Sequence, residues 1–402
     1  MNLGGKNLPR QKRIPQRTDG IESKERLRSA AVKLFSKNNF TDVSISQISK
    51  KAGLSSAAFY QYYLSKDEIF REIADEFFSG LRQFLTGTSL FEVGLSYIRY
   101  CNNNKHFVKA MHLNEYHFEW IRNNLEEILY SVSKKFELSE VGHFYFWSPL
   151  RFAVNFGDLL DVEIHPEIFV NIVLKGINYK VFKGNVRQLP DDIFNFQPVK
   201  HLLSGDEKRE IILANAESLF GTYGFNKTQI YDIARASGIA VGTFYLYFKT
   251  KKELLKELVE WISRGLRYNV KLAVERYKNQ PRIIQEIAGF YAFVQFFKNH
   301  TNMYKVVRES QSLDLELAKT YYISIYKPYY SNLRSLFENA SKDEVIHYNK
   351  DVLSKYYSLM LMGLGHYLGE KYLISGRVAE TENLEKLLQD LCVYICEGLG
   401  GE

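Results

Sequence analysis

The sequence predicts an all-α protein built as two tandem helical units, and three observations carry that expectation. The stretch Phe40 to Glu68 (FTDVSISQISKKAGLSSAAFYQYYLSKDE) realigns without a gap on Phe225 to Glu253 (FNKTQIYDIARASGIAVGTFYLYFKTKKE), 185 residues further on. Phe40, Ile45, Ile48, Gly53, Phe59, Tyr60, Tyr62, Lys66 and Glu68 each meet the same residue in the second copy. A repeat at fixed spacing sets the architecture before any other signal. Only 8 prolines occur in 402 residues, and no region alternates in the manner of a strand. Finally, 402 residues exceed one ordinary core, while 46% hydrophobic and 15% aromatic content suffice to fill several.

The elements follow in order. Residues 1–20 form a basic arm in which Lys6, Arg10, Lys12, Arg13 and Arg17 precede the first acid, Asp19. Such an arm is either a solvated tail or a segment that tracks phosphates or enters a minor groove. A first helix shows apolar residues at helical spacing, Leu27, Ala31, Leu34 and Phe35, matched by Ile212, Ala216, Leu219 and Phe220. Gly224 is expected to end the second of these in a left-handed conformation, with Asn39 taking that place in the first. A short helix then opens at Ser44, with Thr228 as the expected cap in the second copy. Gly53 and Gly238 make a tight turn into a third helix of about eight residues. Two short helices around a glycine turn form a helix-turn-helix, whose second helix enters a DNA major groove.

At about 100° per residue, Phe59 and Tyr63 share the inner face of that third helix, as do Phe244 and Phe248. Ala57, Ala58 and Gln61 point outward between Tyr60 and Tyr62. The matching outward set is Gly242, Thr243 and Leu246, between Tyr245 and Tyr247. Ser65 and Thr250 cap the next helix, with Glu68 and Glu253 completing capping boxes. Lys66 and Lys251 sit in the first turn, where they oppose the helix dipole unless an anion arrives, so a phosphate is their expected partner.

These residues resemble the DNA-binding domain of the TetR (tetracycline-repressor-like) transcription factors. The pattern F-x-x-T/S-x-x-x-I-A-x-x-A-G-V-S-x-x-x-F/L-Y-x-Y-F-x-S/T-K-x-x-L is met by both copies over about 50 residues each. The resemblance implies domains at 21–70 and 206–254 that read DNA. The contacts it implies are Ser44, Ser46, Ser55, Ala58, Tyr60, Gln61, Tyr62 and Lys66 in the first, and Gln229, Tyr231, Thr243, Tyr245, Leu246, Tyr247 and Lys251 in the second. The serine cap kept as Ser55 is lost at Ala240, and Ile233-Ala234 becomes Ile48-Ser49, which makes the second head the weaker reader by its cap.

The resemblance also implies that 71–184 and 255–402 are larger helical domains that bind a small effector and dimerise through their last helices, with 185–205 as linker. In the second, Arg308, Glu309, Gln311, Tyr322 and Tyr326 are the candidate polar lining of an aromatic pocket suited to an apolar effector. Packing tyrosines and an Arg308–Glu309 pair are the plainer reading of the same residues. The stripe Leu384, Leu387, Leu388, Leu391, Ile395 and Leu399 is core or interface, and His165 to Lys183 is its expected counterpart.

Function follows from these parts. The chain is expected to be a DNA-binding repressor released by an effector, its two units pairing as an intramolecular pseudo-dimer on an asymmetric operator. A homodimer with four heads is the competing assembly. The alternative function is an effector- or partner-binding protein in which one or both heads no longer read DNA. A formal charge of +7 favours polyanions only mildly. No nucleophile motif, phosphate-binding glycine loop or metal spacing appears, so no enzyme, cofactor or metal is expected. Cys392 and Cys396 have core spacing. The absence of a signal segment and of 18 uninterrupted apolar residues points to a cytoplasmic protein without a membrane partner.

Overall fold

The computed structural model describes residues 18–183, 189–199, 206–340, 348–374 and 381–400. The basic arm through Arg17 lies outside them, as do parts of the linker. Among the described residues the regular elements are helices and no strand occurs. The first half runs through α1 (Thr18–Phe35), α2 (Ile45–Lys51), α3 (Ser56–Tyr62), α4 (Lys66–Phe84), α5 (Leu90–Asn103), α6 (Lys105–Asn114), α7 (Glu119–Lys135), α8 (Glu140–Phe156) and α9 (Pro166–Lys175). A one-turn α10 (Lys180–Lys183) follows. The second half comprises α11 (Glu207–Tyr223), α12 (Ile230–Ala236), α13 (Val241–Tyr247), α14 (Lys251–Glu275), α15 (Arg282–Asn299), α16 (Thr301–Leu313), α17 (Leu315–Glu338), α18 (Lys350–Gly369) and α19 (Thr381–Glu397). Each helix from α1 to α9 thus has a counterpart ten places later.

The chain packs as two compact units. Residues 1–84 and 100–128 make up one, and residues 85–99 and 129–402 the other. In the first, α4 carries Ile69, Phe70, Ile73, Ala74, Phe77, Phe78 and Leu81 on one buried stripe, the 3.6-residue spacing of an amphipathic helix. Phe40 packs edge-on into this core, its ring centroid 5.4 Å from Phe70 and 4.8 Å from Phe118.

In the second unit α8 is apolar almost all round, and its residues from Phe144 to Ala153 are buried. It lies along α18, and α9 and α19 pack beside this pair. Gly363 permits the close crossing, because a Cβ there would stand 2.9 Å from Phe152 Cβ and 3.0 Å from the Pro149 backbone. The ends of α9 and α19 meet reciprocally. The Ile177 N–H donates to the Ile395 carbonyl at 2.6 Å, and the Leu399 N–H donates to the Leu174 carbonyl at 2.9 Å. Leu384, Leu387, Leu388, Leu391 and Ile395 are all buried, with Cys392 and Cys396 among them. The described part of the linker is docked: Val199 exchanges two hydrogen bonds with the Asn269 amide of α14, and Tyr277 donates to Asp192.

Two expected helix ends are corrected. Asn39 is extended (φ −58°, ψ 151°), not left-handed, because the chain passes straight into a 3-10 turn at Phe40–Asp42. Gly224 does take positive φ, at 82°. Thr228 does not cap α12: it is buried, and its hydroxyl donates to the Gly224 carbonyl at 2.9 Å. The capping position belongs to Gln229, the true partner of Ser44, and its N–H donates to the Asp232 carboxylate at 3.1 Å.

Candidate nucleic-acid interface and internal cavity

Each helix-turn-helix is assembled by the same short devices. Ser44 Oγ accepts the Gln47 N–H while Gln47 Oε1 accepts the Ser44 N–H, a reciprocal cap on α2. Ser55 Oγ accepts the Ala58 N–H at 3.1 Å, and Ala240 leaves α13 without that bond. Between the two short helices Gly53 and Gly238 hold φ of 69° and 66°, a conformation costly for any residue with a Cβ. Phe59, Tyr63, Phe244 and Phe248 are fully buried, as their spacing predicts.

The faces left outside also repeat. Ser44, Ser46, Ser55, Tyr60 and Gln61 are exposed, with Ala58 and Tyr62 half-buried. Gln229, Tyr231, Tyr245 and Leu246 are exposed, with Thr243 and Tyr247 half-buried. Leu246 is 83% exposed and Tyr231 61%.

Lys66 and Lys251 depart from expectation. Lys66 Nζ donates to the carbonyls of Phe40 (2.5 Å) and Val43 (2.7 Å), and Lys251 Nζ to those of Phe225 and Thr228, both at 2.8 Å. Each ammonium also lies over a phenylalanine ring, 4.1 Å from Phe40 and 4.4 Å from Phe225. Burial lowers both lysine pKa values from their ordinary range. The charge expected on a phosphate is therefore satisfied inside the head, where it ties the start of α4 or α14 to the turn before α2 or α12.

A cavity of about 470 Å³ lies in the second unit, walled by α14, α15, α16, α17 and α18 and reached by Phe152 of α8. Arg308, Gln311 and Tyr322 line it. They belong to one buried network. Arg308 pairs with Glu370, and it donates to Gln311 Oε1 at 2.8 Å and meets His366 Nε2 at 3.0 Å. Gln311 Nε2 donates to the Tyr322 hydroxyl at 2.6 Å. Burial by itself would raise the Glu370 carboxyl, but Arg308 and His366 hold it well below the carboxylate range. A second group joins the buried Glu286 to the half-buried Arg282 and Tyr329, whose hydroxyl donates to Glu286 at 2.9 Å.

The profile of bacterial regulatory proteins of the tetR family matches residues 27–73 and again 212–258. The two heads are TetR-family domains. The uncharacterised HTH-type transcriptional regulator YdgC of Bacillus subtilis (strain 168) is 42% identical over 80 residues, 20% of this chain and 40% of its own length. YvdT of the same organism, also an uncharacterised HTH-type transcriptional regulator, is 23% identical over 193 residues, 48% of this chain and 95% of its own. The HTH-type transcriptional regulator EthR of Mycolicibacterium smegmatis is 33% identical over 98 residues, 24% of this chain and 44% of its own. The chain thus spans under half of YdgC and of EthR, whereas nearly all of YvdT fits within about half of this chain.

Two of the expected cavity residues lie elsewhere. Tyr326 is buried and stacks on Tyr330 instead of lining the cavity. Glu309 turns to the second TetR-type head, where both carboxylate oxygens accept the Phe225 N–H at 3.0 Å. The first TetR-type head has an amide in this role: Asn114 Oδ1 accepts the Phe40 N–H at 2.6 Å. Burial raises the Glu309 pKa against the opposing pull of the Phe225 N–H and Lys251. Sequence reasoning missed His366, Glu370, Arg282, Glu286 and Phe152. A histidine and a glutamate one turn apart in the apolar run LMLMGLGHYLGEKYL were a readable signal for the first two.

Proposed function

We propose that the chain is a sequence-specific DNA-binding transcriptional regulator, a repressor that lays two unlike heads on one operator and leaves it when a small effector fills the cavity. The observation that carries this reading is the matched exposure of α3 and α13 with unmatched side chains on the outward face. Gln61 is suited to bidentate hydrogen bonds with adenine, whereas Leu246 and the Thr243 methyl suit thymine methyl groups. Ser44, Ser46, Tyr60 and Tyr62, with Gln229, Tyr231, Tyr245 and Tyr247, are placed to flank them on sugar and phosphate. The packing of α8 and α9 on α18 and α19, with its two-way hydrogen-bond exchange, supports pairing of the two tandem halves of the sequence within one chain, as an isologous interface would pair two copies.

Selection of binding sites from random DNA tests the proposal. The expected best site is asymmetric and carries one chain, so that the complex has the mass of a single protein per duplex. A perfect palindrome as the best site would remove the unlike-heads reading. Absence of DNA binding in low salt, where phosphate attraction is strongest, would remove the regulator reading altogether.

A further inference from the structure

The charges facing the cavity sort into two kinds. Arg282 is paired with Glu286 and Arg308 with Glu370, so these two arginines are already neutralised. Arg267 and Lys271 are different. They lie one turn apart on α14, both are exposed, and both face the cavity on the same stripe as Val270 and Val274. Arg267 donates at 2.8 Å to the hydroxyls of Ser263 and Ser324, and among the described residues neither cation has a carboxylate partner. Further in, the lining is mostly hydrocarbon and aromatic, and its polar side chains Arg308, Gln311, Tyr322 and His366 are bonded to one another.

We propose that the cavity takes an amphiphile with a single hydrocarbon tail and an anionic head, the tail in the apolar interior and the head on Arg267 and Lys271 at the mouth. This rests on the effector reading above and names the ligand's chemistry. A volume of about 470 Å³ falls within the roughly 300–1,000 Å³ of small-molecule sites. Each tail methylene withdrawn from water adds to the affinity, and the head gains charge-assisted hydrogen bonds without desolvating a buried ion. A cationic head would meet two like charges, and an uncharged one would leave them without a counter-ion.

Calorimetric titration of the full chain with dodecanoate, dodecanol and dodecyltrimethylammonium, each below its micelle concentration, tests this. Dodecanoate is expected to bind on the order of tenfold more tightly than dodecanol. In the double variant Arg267→Gln, Lys271→Gln, both at exposed positions, that preference is expected to vanish while dodecanol affinity stays the same. Equal binding of all three probes, or a preference for the ammonium, overturns the anionic head and leaves the effector reading standing. Binding of none of them overturns both.

Discussion

The first and second heads are built on one frame, and their differences fall in two places. The frame repeats down to its ion pairs: Lys24 with Glu72 reappears as Arg209 with Glu257, each cation lying over the ring at position 63 or 248. The outward side chains of the third helix change, Gln61 to Leu246 and Ala58 to Thr243, where no packing constrains them. A second group of changes lies in the frame itself and weakens the later head. Ser55 caps α3, but Ala240 leaves α13 uncapped, a difference of about 1 kcal/mol. Where the first head buries Val32, the second holds Glu217, whose carboxyl is pushed up to about 7 by burial. Two copies under the same packing demands keep what the core requires and drift where tolerance is greater.

If Lys66 and Lys251 are ties of that shared frame, Lys66→Met and Lys251→Met should each destabilise their own head by about 2–3 kcal/mol, since two carbonyls lose a charged donor. Hydrogen exchange resolved by head would read this, and the salt dependence of DNA binding should stay as it was. A flattened salt dependence with unchanged exchange would instead place the lysines on phosphates.

Glu217 sharpens the difference between heads. Its folded pKa lies above the ordinary carboxylate value, so the folded head takes up its proton more readily than the unfolded chain. Stability from this group is therefore greatest below the unfolded value and falls as pH rises through about 7. Glu217→Val should remove that slope and stabilise the second head by about 2 kcal/mol at alkaline pH, allowing for partial exposure. The first head, with Val32, should show no such slope. Persistence of the slope in the variant would point to another group.

The smallest effect is expected at the joint between head and cavity. Glu309→Gln, made in the Glu217→Val background, converts the second joint to the amide chemistry of Asn114. The stability change should stay within about 1 kcal/mol. Because the Glu309 pKa is raised, protection of the Phe225 amide should grow in the parent as pH falls toward the ordinary carboxylate range. In the variant that protection should not vary with pH, and an equal response in both would rule Glu309 out as its source.

The heads were legible because their buried and exposed positions follow helical angle within seven-residue helices, so Phe59, Tyr63 and Leu246 fall where counting places them. Thr228 misled because a hydroxyl just before a helix can turn inward to a carbonyl as readily as cap, and its partner Val43 gave warning only through the repeat. The lysines misled for a related reason: the dipole argument considers one helix, while Phe40 and Val43 lie more than twenty residues upstream. Arg308, Gln311 and Tyr322 stood out as polar groups in apolar helices. Phe152 could not, since it reaches the cavity from the other half of the chain through the crossing at Gly363.

That crossing has a bearing on how such a protein behaves in small numbers. A contact between separate polypeptides comes apart on dilution, and its occupancy falls as the square of what remains. The α8–α18 contact is carried by one backbone, so neither dilution nor a low copy number dissolves it. On the proposed pairing within one chain, each molecule leaves the ribosome with its partner attached. Its effect on a gene would then rise in simple proportion to the number of chains, without a threshold for finding a mate.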